Sequence, residues 1–164
     1  MVPQHRNSGA GAEATDQDVS IRVANPADLA ELHALDTAVF GELAYPFFVL
    51  RQSMDVQYGC WLVAEHRSRM LGYSYGVPTM DRRTGWLLGL GVRPEFRRRG
   101  FGLRLTAESL AALRTFGVRT ARLTVHPGNA VALGLYRRLH FTVEQRVRDY
   151  LGPGEDRLLM ARTV

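Results

Sequence analysis

The chain has 164 residues, of which 46% are hydrophobic and 23% are charged, as is typical of one soluble globular domain with a single core. No apolar run approaches the roughly 20 residues that a membrane-spanning helix needs, and the five histidines and one cysteine show neither metal-ligand spacing nor a disulfide framework. All 21 basic residues are arginine, so the missing lysine excludes a Walker-type P-loop and a pyridoxal-phosphate Schiff base.

The N-terminal segment has the composition of a tail. Residues 1–18 are rich in glycine, alanine and polar residues, and they lack the apolar middle of a signal peptide. We therefore expect a disordered tail over residues 1–18, one folded domain over residues 19–164 and a cytoplasmic protein, which the lone Cys60 also favours. We expect no membrane partner, and the sequence leaves monomer and homodimer equally open.

The first third of the folded part predicts one strand and two helices. Residues 20–24 alternate like a short strand and run into the segment NPAD at 25–28, where an asparagine cap, a proline and a first-turn acid mark a helix start. Apolar residues then recur at helical spacing as far as Gly41. Pro46 must break or begin an element, and we place a short second helix after it.

The remaining elements follow from periodicity and turn residues. Apolar runs bounded by turns predict strands, and amphipathic spacing predicts helices. We expect strands at 60–66, 70–78, 84–92, 121–126, 140–148 and 156–162, with helices from 103 to Gly117 and from 129 to 139. Strands that come first and helices that interleave later predict an α+β fold, with a mixed, mostly antiparallel central sheet flanked by about four helices.

The basic stretch RRRGFG at residues 97–102 allows three interpretations: a nucleic-acid patch, a dinucleotide fingerprint or a cradle for another phosphate. Glycines at the mouth of a helix let several N–H groups converge on an anion that the helix dipole also favours. The dinucleotide fingerprint needs a further glycine where Leu105 stands. A nucleic-acid patch would spread its charge along a face with aromatics for stacking. The tight cluster favours a phosphate cradle, and we expect no nucleic-acid partner.

Two motifs in the second half of the chain carry the chemistry. A hydrophobic-x-V-x-P lead-in to Q/R-x-x-G-x-G/A is matched by Leu90, Val92, Pro94, Arg97, Gly100 and Gly102. The motif N-x-x-A-x-x-x-Y with a closing aromatic is matched by Asn129, Ala132, Tyr136 and Phe141. Together these segments resemble the GNAT superfamily of N-acetyltransferases, from about residue 19 to residue 161. One departure is His140, since the family usually has glycine before the last aromatic.

The resemblance implies acetyl-CoA as the co-substrate and direct attack of an amine on its thioester, without a metal. The implied cofactor contacts are Leu90, Gly91, Val92, Arg97, Arg98, Arg99, Gly100, Phe101, Gly102, Leu103, Asn129 and Tyr136. A backbone N–H of the strand at 90–92 would stabilise the oxyanion, and Tyr136 would be the general acid for the leaving thiolate. Asn129 is a helix N-cap, a cofactor contact or both.

A strand with glycines at 89 and 91 needs a physical reason, because glycine weakens a strand. Gly89 and Gly91 fit a strand that bulges or that lets a ligand approach closely, and a merely weakened strand is the plain alternative.

Two further segments bear on the acceptor amine. The ending RVRDYLGPGEDRLLM at 146–160 is similar to the R-x-Y-Y…E-D-A-hydrophobic-M ending of the protein N-terminal acetyltransferases, the branch that includes the ribosomal-protein enzymes. The segment VFGELAYPFF at 39–48 resembles the loop by which those enzymes meet a peptide N-terminus. The resemblance favours a peptide or protein N-terminal α-amine as acceptor, with Tyr45 and Tyr150 as substrate contacts.

The general base stays open in the sequence. Thr124 stands where that branch carries Glu or His, Trp86 stands where some members carry Tyr, and Leu151 replaces the second tyrosine of the ending. Glu42 and His126 are the candidates for the base. A small-molecule amine acetyltransferase for a metabolite or antibiotic, and a non-catalytic module that binds acyl-CoA, remain the alternative functions.

Overall fold

The computed structural model describes residues 18–164, so the predicted tail lies outside the described residues except for Asp18. The described chain folds into seven strands and four helices. The strands are β1 (Ser20–Val23), β2 (Trp61–His66), β3 (Arg69–Pro78), β4 (Thr84–Val92), β5 (Thr120–Val125), β6 (Thr142–Val147) and β7 (Arg157–Thr163). The helices are α1 (Leu29–Phe40), α2 (Phe47–Val56), α3 (Phe101–Thr115) and α4 (Ala130–Arg138).

The strands form one sheet in the order β1-β2-β3-β4-β5-β7-β6. Only β4 and β5 pair in parallel, while the other neighbouring strands pair antiparallel. A parallel pair needs a crossover connection, and α3 supplies it. The predicted α+β fold, with its mixed and mostly antiparallel sheet and about four helices, is confirmed.

The predicted start of the first helix is confirmed in its chemistry, although a turn comes first. The Asn25 side chain accepts from the N–H of Ala27 at 2.9 Å, and Asp28 accepts from the N–H of Asn25 at 2.7 Å. These bonds close a 3-10 turn over Pro26–Asp28, and α1 begins only at Leu29. Because Asp28 also pairs with Arg22 of β1 at 2.8 Å, the turn ties the helix start to the edge of the sheet.

Each face of the sheet is covered by a pair of helices. On one face, α1 and α2 bury Leu32, Leu35 and Leu50 against Trp61 and Tyr73. On the other face, α3 and α4 contribute Leu105, Leu113 and Leu133, which are buried against the strands, including Leu123 of β5. Each fully buried leucine contributes about 2 kcal/mol by removal of apolar surface from water. The two helix layers therefore bury both faces of the sheet.

The sheet opens between its two parallel strands. The pairing of β4 with β5 runs from Thr84↔Thr120 to Leu87↔Leu123 and ends there, although β4 continues to Val92 along β3. The register with β3 shifts at the same point, which leaves Leu88 as an extra, bulged residue. A bulge bends its strand and increases the local twist. Beyond residue 87, β4 therefore diverges from β5, and a wedge-shaped opening forms between them.

The glycines of β4 make room for an aromatic ring. A Cβ atom on Gly91 would lie 2.6 Å from Cε1 of Tyr73 and 2.9 Å from Cδ2 of Leu35, and one on Gly89 would lie 3.1 Å from Cε2 of Tyr73. The predicted bulge is therefore present, at Leu88. On this face the close approach is made by the ring of Tyr73.

We predict that Gly91→Ala lowers the free energy of unfolding by about 1–3 kcal/mol, because its methyl group overpacks the buried Tyr73 ring. The matched control is Gly134→Ala in α4, where an added Cβ meets nothing within 4 Å. That variant should gain about 0.5–1 kcal/mol, since alanine loses less entropy than glycine in a helix. Urea unfolding of both variants gives the values, and an unaltered Gly91→Ala protein would contradict the packing role.

Candidate active site

A cavity of about 720 Å³ lies where β4 and β5 separate. Its walls come from the loop after α1, from β4, from the end of β5, from α4 and from the connection between β6 and β7. The cavity brings together residues that the sequence predicted for acetyl transfer, namely Glu42, Tyr45, Leu90, His126, Asn129 and Tyr136. Residues more than 90 positions apart in the chain thus line one space.

The loop before α3 has the geometry of an anion site. Arg98 and Gly100 adopt left-handed backbone angles, with φ of +62° and +85°, and α3 begins at Phe101. The N–H of Arg104 bonds to the carbonyl of Gly100 at 3.0 Å and is the first to make an intrahelical bond. The N–H groups of residues 101–103 therefore lead the helix without intrahelical partners, as an anion at a helix N-terminus requires.

The two glycines of this loop have different tasks. Gly100 has the left-handed angle, which glycine adopts without strain. Gly102 is inside the helix, and a Cβ there would come within 3.0 Å of Cδ1 of Leu135 on α4. The second glycine therefore allows α3 and α4 to pack closely.

The three arginines of RRRGFG differ in what they contact. Nε of Arg97 donates to the carbonyl of Val92 at 3.1 Å and so ties the loop to the end of β4. The guanidinium of Arg99 lies over the ring of Phe96, 5.6 Å from its centroid. Among the described residues Arg98 has no such partner, and its exposed side chain is the one free to reach a phosphate.

The edge of β4 offers a backbone donor to the opening. The N–H of Arg93 bonds to the carbonyl of Leu71 on β3 at 2.9 Å. Bonded and non-bonded pairs alternate along an antiparallel ladder, so Leu90, opposite Ser74, directs its N–H and C=O away from β3. Since β5 does not pair here, the N–H of Leu90 faces the opening, where it can polarise a thioester carbonyl.

Tyr136 lies on helix α4, which is capped at both ends. At its start, Oδ1 of Asn129 accepts from the N–H of Ala132 at 3.0 Å. The predicted N-cap is therefore present, and the amide NH₂ of Asn129, which lines the cavity, stays available to a ligand. At the end of the helix, the N–H of Phe141 bonds to the carbonyl of Tyr136 at 3.0 Å, and the two rings meet edge-on at 5.8 Å. This contact fixes the direction of Tyr136.

The ionisation of Tyr136 suits a proton donor. Burial raises the pKa of Tyr136 to about 12, so the phenol keeps its proton at neutral pH. Burial first and the nearby Asp36 second also raise the pKa of Tyr73. Both phenols are therefore neutral across the physiological range.

The two predicted base candidates differ in their hydrogen bonding. Glu42 lies in an exposed 3-10 turn, Gly41–Leu43, and its carboxylate has no partner among residues 18–164. His126 accepts at Nδ1 from the N–H of Gly128 at 3.0 Å, which assigns its neutral proton to Nε2. Neither ring nitrogen of His126 then has a free lone pair, so the geometry favours Glu42.

Asp36 is a site residue that the sequence reading did not select. It is fully buried, and it accepts from the N–H of Tyr45 at 2.6 Å and from the hydroxyl of Tyr73. One carboxylate thus anchors the loop after α1 to β3. The signal was present, because an acid at position 36 interrupts the apolar stripe of the first helix that includes Leu32 and Leu35.

The two predicted substrate contacts are placed differently. Tyr45 lines the cavity, and its hydroxyl donates to the carbonyl of the bulged Leu88 at 3.4 Å. Tyr150 is 43% exposed, and its neighbour Leu151 lines the cavity instead. Glu155 and Arg157, which belong to the resembled ending at 146–160, also line the cavity, although neither was predicted as a site residue.

Residues 18–164 contain no group of three or more His, Cys, Asp or Glu side chains placed to hold a metal ion. None of the helices in this range has both the length and the apolar character to cross a bilayer.

The site combines three features: the separation of the parallel strands β4 and β5, the free N–H of Leu90 on the edge of β4, and the anion-binding geometry at the start of α3. Together they are the features of an acyltransferase fold that takes a phosphate-bearing thioester. Residues 27–141 match the acetyltransferase (GNAT) family. Because the match covers more than half of the chain, the chain belongs to this family. The predicted N-acetyltransferase with acetyl-CoA as its co-substrate is confirmed.

Known proteins similar to this chain include two curated relatives and a solved structure. An N-alpha-acetyltransferase of Sulfolobus acidocaldarius is 26% identical over 86% of this chain and 90% of its own length. The ribosomal protein bS18-alanine N-acetyltransferase of Salmonella typhimurium is 34% identical over 57% of this chain and 64% of its own. Ard1 of Thermoplasma volcanium superposes with a TM-score of 0.82 at 20% identity, over 90% of this chain and 98% of that one.

We predict that His140→Gly stabilises the protein by about 0.5–1 kcal/mol, because residue 140 ends α4 at a left-handed φ of +63° that costs a non-glycine residue about 1–2 kcal/mol. Arg138→Gly, two residues earlier and still helical, should instead lose about 1 kcal/mol. Urea midpoints of both variants test the assignment. Equal losses in the two variants would show that residue 140 carries no backbone strain.

Proposed function

We propose that the protein transfers the acetyl group of acetyl-CoA to the N-terminal α-amine of a peptide or protein by direct attack. The observation that carries this proposal is one cavity in which Tyr136 and the edge of β4 face the loop at 39–48 and the connection before β7. These two segments resemble those of the protein N-terminal acetyltransferases. The names of the relatives, an N-alpha-acetyltransferase and a bS18-alanine N-acetyltransferase, agree with such an acceptor.

The proposed cofactor position follows from the loop and the strand edge. The N–H groups of residues 101–103 bind the pyrophosphate at the start of α3, and the free guanidinium of Arg98 adds a charge-assisted contact. The pantetheine arm lies along residues 90–92, where β4 has no neighbour on the β5 side. The thioester then reaches the cavity beside Leu90.

The chemistry needs one proton taken from the amine and one given to the thiolate. The neutral amine attacks the thioester carbon, and the N–C bond forms while the N–H of Leu90 stabilises the oxyanion. Glu42 takes the proton from the amine. When the C–S bond breaks, Tyr136 protonates the sulfur. An α-amine with a pKa of about 8 is easier to deprotonate than a lysine side chain near 10.4, so an exposed carboxylate suffices as base.

We predict that Gly100→Ala weakens coenzyme A binding about tenfold, because an alanine is strained by about 1–2 kcal/mol at the left-handed angle and moves the N–H groups of the loop. Gly117→Ala is the matched control, since Gly117 has a φ of +88° at the other end of α3 and an added Cβ there also meets nothing within 4 Å. Isothermal titration with coenzyme A should give a changed Kd for the first variant only. Equal Kd values in both variants would place the pyrophosphate elsewhere.

We predict that Tyr136→Phe lowers kcat by about 10² to 10⁴, the usual contribution of a positioned general acid. The measurement is thiol release from acetyl-CoA with peptides that start with Ala, Ser or Met and with a panel of small amines. Tyr58→Phe is the control, because Tyr58 is 73% exposed and does not line the cavity.

The pH profile gives a second readout for the same residue. A tyrosine donates its proton only below its pKa, and burial raises the pKa of Tyr136 to about 12. Wild-type activity should therefore show no alkaline fall between about pH 6 and about pH 10, a range in which a rise reports the loss of the proton from the acceptor amine. In the thiol-release assay, turnover of small amines alone would show that the acceptor is a small amine and not a peptide. Coenzyme A binding without any turnover would favour a non-catalytic module.

A further inference from the structure

Arg157 is a buried cation at the acceptor end of the cavity. It begins β7, it is only 6% exposed, and it lines the cavity together with Glu155 and Leu151. The register Val125↔Leu158 between β5 and β7 places Arg157 across from His126, the residue that follows β5. Its position is therefore beside the opening between β4 and β5, at the start of β7.

The hydrogen bonds of Arg157 leave part of its guanidinium unused. Nη2 pairs with a carboxylate oxygen of Glu155 at 2.9 Å, and Nη1 donates to the carbonyl of Asp156 at 2.8 Å. Within residues 18–164 the guanidinium makes no further hydrogen bond, although it carries more N–H donors than these two. Within residues 18–164 the one fully buried side-chain donor that lacks a partner is Nε1 of Trp61, so the unpartnered Nε of Arg157 keeps some exposure. The remaining donors are therefore available to a ligand in the cavity.

Among the charged side chains of the cavity, Arg157 is the one that can bind an anionic group of a ligand. Both oxygens of Asp36 are bonded to Tyr45 and Tyr73, so Asp36 offers nothing to a ligand. Glu42 is a free carboxylate that attracts the acceptor amine. Arg157 is the arginine among the described lining residues, and a planar guanidinium can bond one carboxylate on one edge and a second on another.

We propose that Arg157 forms an anion subsite that binds a carboxylate of the acceptor close to the reacting amine. In a peptide, this carboxylate belongs to an aspartate or glutamate at the first or second position. The proposal rests on the proposed function, because it names the acceptor class of the same cavity. It also accounts for an arginine at the point where the resembled ending E-D-A-hydrophobic-M has alanine.

The test compares acceptors that differ only in an acid and its amide. Peptides with Asp against Asn and Glu against Gln, at the first and then the second position, are acetylated by the wild type, by Arg157→Ala and by Arg148→Ala. Small amines are included as the pair glutamate and glutamine. Arg148→Ala is the matched control, because it removes the same charge from an exposed position in the same strand connection. The readout is the ratio of kcat/KM for the acid to that for the amide.

The wild type should prefer the acid member at one position by about tenfold, the effect of one charge-assisted hydrogen bond pair. The ratio should fall to about one in Arg157→Ala and stay at the wild-type value in Arg148→Ala. Equal rates for acids and amides in the wild type, with peptides turned over, would overturn the subsite and leave the proposed function intact. The same ratio in Arg157→Ala as in the wild type would also overturn it.

The two small amines distinguish a failure of the Arg157 subsite from a failure of the proposed peptide acceptor. If no peptide is turned over while glutamate reacts faster than glutamine, and Arg157→Ala removes that difference, the peptide acceptor is wrong and the subsite is supported. Melting temperatures of both variants check that a lost ratio does not come from unfolding. A lost ratio in an Arg157→Ala protein that melts far below the wild type is retested in Arg157→Met, which keeps the length of the side chain. A restored acid preference in that variant would overturn the subsite.

Discussion

The site depends on the early end of one strand pairing. The parallel ladder between β4 and β5 stops at Leu87↔Leu123, and the bulge at Leu88 turns the rest of β4 away. The N–H and C=O of Leu90 are thereby left without a strand partner and face the cavity. In the arrangement that we propose, an extended ligand arm with amide groups bonds to them in the way that another strand would. The proposed position of the acyl donor is therefore that of a further strand beside β4, next to the cavity.

The acceptor side is fixed to the same part of the sheet by a buried carboxylate. Asp36 bonds the N–H of Tyr45 and the hydroxyl of Tyr73, and the ring of Tyr73 packs beneath Gly89 and Gly91 of β4. The loop after α1 and the strand along which we propose the thioester lies consequently share one anchor. This arrangement favours direct transfer, because the reacting groups must be positioned within a fraction of an ångström.

The arginines of this lysine-free chain have separate tasks that composition does not distinguish. Arg22 pairs with Asp28 and Glu65 to secure the edge strand, and Arg97 ties the anion loop to β4. Arg98 is free at the loop, and Arg157 is buried in the cavity. A net charge of +5 thus reports little about function, whereas the burial and partners of each guanidinium report a great deal.

The sequence by itself determined the family and the sheet-forming runs, and it predicted the residues that we propose contact acetyl-CoA. The strand Thr84–Val92 has the bounds that its apolar run predicted, and the helix that bears Tyr136 differs by one residue at each end. These features are local, because periodicity, caps and glycine positions act over a few neighbouring residues. Only the tertiary structure revealed the hydrogen bond between Asp36 and Tyr73 and the burial of Arg157. It also showed that Leu151 lines the cavity, where the sequence had predicted Tyr150. Each of these depends on contacts between distant parts of the chain, and a residue's own neighbours do not encode such contacts.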